Sequence, residues 1–219
     1  MFDSIRETID YSVENNITFA DIMINEEMER EGISRDEVRE RMKQNLEVMR
    51  DAVEKGTTGE GVESVTGYTG HDAAKLRDYN EKNHALSGRE MIEAVKGAVA
   101  TNEVNAAMGI ICATPTAGSS GTIPGVLFKL EKTHDLTEDQ MVDFLFTSAL
   151  FGRVVANNAS VAGATGGCQA EVGSASAMAA AASVAIFKGT PEQSGHAMAL
   201  AISNPVSYTH LTLPTNREV

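Results

Sequence analysis

The chain has 219 residues, 42% of them hydrophobic and 22% charged, the composition of a folded globular protein long enough to bury a core without disulfide or metal staples. Eighteen Lys and Arg stand against 31 Asp and Glu, a formal charge of −13, which excludes a surface built to grip nucleic-acid phosphates. Two cysteines are too few for a disulfide framework, the first residues (MFDSIRETID) lack the apolar core of a leader, and no apolar run reaches the roughly 18–20 residues of a membrane span, so a cytoplasmic protein without membrane contact is expected.

In chain order, residues 3–15 place Ile5, Ile9 and Val13 four apart, predicting an amphipathic helix capped by Asp3 or Ser4. Residues 19–30 form a second helix with Ile22, Met23 and Met28 inward. Ser34 and Glu37 have capping-box spacing and open a long helix over 35–54, with Val38, Met42, Leu46 and Met49 as its buried stripe. The first sixty residues hold sixteen acids and eight bases, which reads as a solvated helical face. Residues 55–68 are Gly-rich and polar, hence a loop, and 72–83 a short helix. Ser87 and Glu90 repeat the capping-box spacing before a helix over 88–101, and Thr137 and Gln140 do so before one over 138–155. Between them lie an apolar run at 105–112, a small-residue loop at 114–125 (TPTAGSSGTIPG) and a helical stretch over 123–131. A second small-residue loop (AGATGG, 162–167) precedes an Ala-rich helix over 169–188, and another helix starts at Pro191. The fold class is mainly α: a multi-helix domain over 1–204, with an acidic helical part (1–54) and a site-bearing core (88–204) whose glycine-rich loops form the site.

Residues 205–219 (PVSYTHLTLPTNREV) break from the helical pattern before them. Reverse translation of residues 206–215 gives a DNA string that resembles a transposon-based sequencing adapter, so this tail is expected to be foreign to the fold.

From 151 to 204 only Arg153, Glu171, Lys188 and Glu192 are charged, which points to closely packed helices and a site in the interior. Cys168 follows two glycines at a helix start, where a thiolate is favoured as a metal ligand or nucleophile; a buried core cysteine is the competing reading. Cys112, in an apolar run, reads as core packing. The 114–125 loop offers small side chains, hydroxyls and backbone N–H groups to a carboxylate or phosphate. Thr122 stands where a nucleotide-binding P-loop requires Lys, and GSSG is not a serine-hydrolase elbow. His71, His84, His134, His196 and His210 show no zinc spacing with either cysteine.

Four segments carry a resemblance: residues 102–108 (NEVNAAM), 111–121 (ICATPTAGSSG), 154–159 (VVANNA) and 166–176 (GGCQAEVGSAS). From residue 1 to 204 the chain resembles the α chain of iron–sulfur L-serine dehydratases, lyases that convert L-serine to pyruvate and ammonia. The resemblance implies a [4Fe–4S] cluster with Cys168 as one ligand, L-serine as substrate and a separate β chain as partner. It implies that an open iron position acts as a Lewis acid on the serine hydroxyl while a base, expected from the β chain, takes the α-proton. The substrate carboxylate would sit in the loop at Thr116, Ser119, Ser120, Gly121 and Thr122. Two further cluster cysteines would follow residue 204, where this sequence carries the tail instead, so the chain as it stands is expected to lack a complete cluster and activity. An L-cysteine desulfidase-like lyase and a non-catalytic helical interaction fragment are the competing readings.

Overall fold

The computed structural model describes residues 2–82 and 85–204; the expectations for His84, His210 and the 205–219 tail fall outside them. Ten α-helices are described, with no strand among these residues, so the mainly α class holds: α1 Ile5–Asn15, α2 Phe19–Glu31, α3 Arg35–Thr58, α4 Asp72–Lys82, α5 Arg89–Ala106, α6 Thr122–His134, α7 Glu138–Asn158, the single turn α8 Gly163–Gly166, α9 Cys168–Ile186 and α10 Pro191–Ser203. The described residues divide into two compact units, one of residues 2–42 with 142–204, the other from within 43–141. The boundaries fall inside α3 and near the start of α7. Among the described residues no helix is long and apolar enough to cross a membrane.

In the discontinuous unit, Ser4 caps α1 by accepting from the Glu7 N–H at 3.2 Å. The buried face of α1 holds Thr8, Ile9 and Ser12, while Val13 is exposed. An i+4 row turns by about 40° per step and runs off the face by its third member. The two buried hydroxyls satisfy themselves locally, Thr8 on the Ser4 carbonyl at 3.0 Å and Ser12 on the Ile17 carbonyl at 2.6 Å. Phe19 of α2 meets Phe151 of α7 edge to face at 4.9 Å between ring centres. The Ala-rich α9 is buried on most sides (Ser174, Ala175, Ala177, Ala179, Ala181 and Ala182 are 3% exposed or less) and packs along α10. Small side chains let neighbouring backbones close in, so a helix with almost no amphipathic face becomes a core element. Thr190 and Gln193 form a full capping box ahead of α10.

In the contiguous unit, α3 continues to Thr58, four residues past its expected end and into the segment expected to be a loop. Its Gly56 lies against α5 so closely that an added Cβ would stand 2.3 Å from the Ala100 carbonyl oxygen. Thr137 and Gln140 exchange both bonds of the expected box before α7. The Ser87 box is absent: Gly88 caps α5 with a φ of +81°, a left-handed backbone that cannot serve as the first helical residue, and no side chain caps it. α5 then runs to Ala106 and buries Glu103, whose carboxylate accepts the first N–H groups of α4, Asp72 at 2.6 Å and Ala73 at 3.2 Å. Arg50 reaches both oxygens of Glu131 at 2.9 and 2.8 Å and lies 4.7 Å over the Phe128 ring.

Gly56→Ala is expected to destabilise the protein by about 1–3 kcal/mol, because overpacking a backbone contact outweighs the roughly 1 kcal/mol that alanine gains as a helix former. Urea unfolding of the two proteins measures this; a more stable variant would show that α3 and α5 yield freely.

Candidate functional site

The loop singled out in sequence belongs to the contiguous unit. Its second half is helix: α6 starts at Thr122, so Ile123, Pro124 and Gly125 form the first turn and only residues 114–121 remain loop, with a 3₁₀ turn at Ala117–Ser119. The Thr114–Pro115 peptide bond is cis. Ser119 and Ser120 are buried, at 1% and 0% exposure, whereas Thr116 and Thr122 are partly exposed. The serine hydroxyls are engaged within the loop: Ser119 donates to the Thr114 carbonyl at 3.0 Å, and Ser120 to the Ala117 carbonyl at 2.8 Å. The Thr116 and Ser119 hydroxyls lie 3.2 Å apart. Bonds of this kind fold the loop back on itself and spend its carbonyls inward.

Gly121 fixes the loop against the rest of the unit. An added Cβ there would stand 2.1 Å from the Ala98 carbonyl oxygen on α5. The same residue is the N-cap of α6, and it supplies no side-chain cap. The opening N–H groups of a helix have no partner within it, and this helix has no acid in its first turn. The five residues Thr116, Ser119, Ser120, Gly121 and Thr122 are thus brought together at one uncapped helix start whose dipole favours a negative charge. Asn105 was not foreseen. Its side-chain N–H reaches the Ala117 carbonyl at 3.5 Å from the end of α5.

Cys168 belongs to the other unit. It is the first residue of α9, directly after Gly167, whose φ of +81° turns the chain sharply into the helix. Its side chain is exposed. The preceding turn α8 lies under Glu171: a Cβ on Gly163 would come 2.5 Å from a Glu171 carboxylate oxygen. Glycine there lets the carboxylate rest on the turn, so Glu171 and Gly163 together set the entry into α9.

Cys112 is different. It is half-buried, its thiol donates to the Asn45 carbonyl at 3.5 Å, and burial pushes its pKa up. That makes it a poor thiolate and a poor ligand, although it lies half-exposed rather than in the core. Among the described residues, no three His, Cys, Asp or Glu side chains gather where they could hold a metal ion. His71, His134 and His196 are exposed.

Residues 14–206 match the family described as serine dehydratase alpha chain. The chain is similar to a probable L-serine dehydratase alpha chain of Bacillus subtilis (strain 168), 54% identical over 204 residues that cover 93% of this chain and 67% of that one. It is similar to a probable L-serine dehydratase alpha chain of Latilactobacillus sakei, 63% identical over 114 residues (52% of this chain, 54% of that one). It is also similar to the L-serine dehydratase alpha chain of Peptoniphilus asaccharolyticus, 38% identical over 206 residues (93% and 70%).

The two thiols are expected to differ in reactivity. Iodoacetamide at neutral pH should alkylate Cys168 at least about ten-fold faster than Cys112, since Cys168 is exposed while burial shields the Cys112 thiol and pushes its pKa up. Peptide mapping after timed quenching reads the two rates, and equal rates would contradict the burial of Cys112.

Proposed function

This chain belongs to the serine dehydratase alpha chain family, and from that premise we propose that it is the alpha chain of an L-serine dehydratase, a lyase that deaminates L-serine to pyruvate and ammonia. The observation that carries the reading is the family match over residues 14–206, which spans both the Thr116–Thr122 segment and Cys168. The names of the Bacillus and Peptoniphilus relatives supply L-serine as the substrate, and "alpha chain" supplies a separate beta chain as the partner. Two unpaired thiols suit the reducing cytoplasm, where we place the protein.

In this reading the loop receives the substrate carboxylate. The uncapped start of α6 offers N–H groups and a favourable dipole, and Thr116 and Thr122 are exposed enough to donate. Ser119 and Ser120 brace the loop from within, through the bonds to Thr114 and Ala117, and hold its amides in place before substrate arrives. Gly121 keeps the loop seated on α5.

Cys168 is the chain's contribution to an iron–sulfur centre. Such centres are held by several thiolates, and among the described residues no three His, Cys, Asp or Glu side chains gather around the exposed Cys168 thiol. The residues present do not make up a four-iron site, so the remaining ligands must come from outside them. The general base is likewise assigned to the partner, since His71, His134 and His196 all lie outside the loop and the start of α9.

The test joins residues 1–204 to the part of the Bacillus subtilis relative that this chain does not span, coexpressed with that organism's beta chain and supplied anaerobically with iron and sulfide. Pyruvate should form from L-serine. Cys168→Ala should abolish turnover and the iron–sulfur absorbance together. Thr122→Val should raise KM for L-serine up to about ten-fold, the worth of one hydrogen bond to a charged group, with kcat little changed. Turnover unaffected by Cys168→Ala would overturn the ligand assignment, and a preference for L-cysteine would move the chain to the desulfidase-like reading.

A further inference from the structure

The loop assigned to the substrate carboxylate lies along one face of α5. α6 runs antiparallel to that helix: Gly121 meets Ala98, and Gly125, a turn further into α6, meets Ala94, a turn earlier in α5, where an added Cβ would stand 2.6 Å from the Ala94 carbonyl oxygen. The unbonded N–H groups at the start of α6 therefore point toward the C-terminal end of α5. Seven residues past Ala98, two turns on and so on the same face, stands Asn105. The separation along the helix axis is about 10 Å, close to the length of an α-amino acid with a hydrogen bond at each end.

An α-amino acid brings an ammonium group as well as a carboxylate, and the ammonium needs acceptors. The loop has spent most of its own. The Thr114 carbonyl takes the Ser119 hydroxyl, the Thr116 carbonyl takes the Thr114 N–H at 3.2 Å, the Ala117 carbonyl takes the Ser120 hydroxyl, and the Ser120 carbonyl takes the Thr114 hydroxyl at 3.4 Å. No charged residue occurs from 104 to 128, so the segment itself supplies no carboxylate. Glu103, next to it, is buried and holds the first N–H groups of α4. Asn105 is different. It is half-buried, its Nδ2 donates to the Ala117 carbonyl at 3.5 Å, and its Oδ1 accepts nothing from the described residues. One end of the amide is thus fixed on the loop, which leaves the other end, an acceptor, turned away from that carbonyl.

We propose that Asn105 Oδ1 accepts the α-ammonium group of the substrate, and so selects an α-amino acid over an acid that lacks the amine. The proposal rests on the reading of the Thr116–Thr122 loop as the carboxylate seat. The α6 N–H groups then meet the negative end of the ligand and the Asn105 amide its positive end, which fixes the ligand's direction along α5. Gly121 on Ala98 and Asn105 on Ala117 tie the same loop to α5 at two points, so the distance from donor to acceptor is set before the ligand arrives.

The experiment is an NMR titration of the ¹⁵N-labelled 219-residue chain with L-serine and with sodium β-hydroxypropionate, the same acid without its amine, at neutral pH and matched ionic strength. L-Serine should shift both the Thr122 amide and the Asn105 side-chain amide, and β-hydroxypropionate the Thr122 amide. Asn105→Ala should weaken L-serine binding about three- to ten-fold, the worth of one hydrogen bond, and leave β-hydroxypropionate within about two-fold of its original affinity. Asn105→Asp, a charged acceptor of the same size, should bind L-serine at least as tightly as the unchanged chain and β-hydroxypropionate more weakly. Retained heteronuclear spectra in both variants keep a loss of binding distinct from unfolding. L-Serine affinity unchanged in Asn105→Ala, or both ligands weakened alike as a mere brace of the loop would give, would overturn the proposal while leaving the carboxylate seat intact. A Thr122 amide that neither ligand moves would overturn the carboxylate seat itself, and the proposal with it.

Discussion

Close backbone approach, made possible by glycine, is the constraint on which the contiguous unit depends. At Gly56 and Gly121 the carbonyls of α5 lie 2.3 and 2.1 Å from where a Cβ would stand. At such separations no side chain fits between the helices, and the contact has one solution rather than several. α5 is therefore a fixed rail. α3 and α6 are placed against it by residues that have no side chain to adjust.

The candidate site inherits that rigidity. The loop that carries Thr116, Ser119 and Ser120 ends on Gly121, so its far end is pinned to α5. Its near side is pinned from within, by serine hydroxyls that are buried and already bonded. A pocket for a charged group benefits from this arrangement, because donors held in place need no reordering when the ligand arrives. The same logic holds around Cys168, where the Gly167 backbone and the Glu171–Gly163 contact aim the first turn of α9.

Charge is managed locally. The acidic surplus of the first sixty residues is spread over exposed helical faces, with Arg30 on Glu27 and Glu31, Arg41 on Glu37, and Arg35 on Asp21. Such exposed pairs contribute little each. The pairs that tie distant segments are less exposed: Arg39 with Asp143 and Arg153 with Glu26 in one unit, Arg50 with Glu131 in the other. Lys96 is the exception: its side chain is only 9% exposed, and it shares the Glu93 carboxylate with the solvent-exposed Lys132.

The sequence by itself determined the helical class, the order of the helices and most of their starts. Ser4 and Thr137 sit where capping chemistry needs a side-chain oxygen, and that chemistry is local. It also determined the family, through motifs that include the loop and Cys168. Tertiary structure decided the rest. The Gly-rich, polar stretch 55–68 reads as a loop, yet α3 runs on to Thr58 because Gly56 is the contact with α5, a partner more than forty residues away. The Ser87 box looked sound, and the left-handed backbone at Gly88 cancelled it. Val13 kept the spacing of a core residue and drifted out of the core because a helix turns 3.6 residues at a time. The roles of Ser119 and Ser120 as inward braces, of Glu103 as a cap for α4, and of Lys96 as a buried partner of Glu93 could not be read in order along the chain. Each depends on which backbone group or charge a long-range contact brings within about 3 Å, and spacing in sequence carries no information about that.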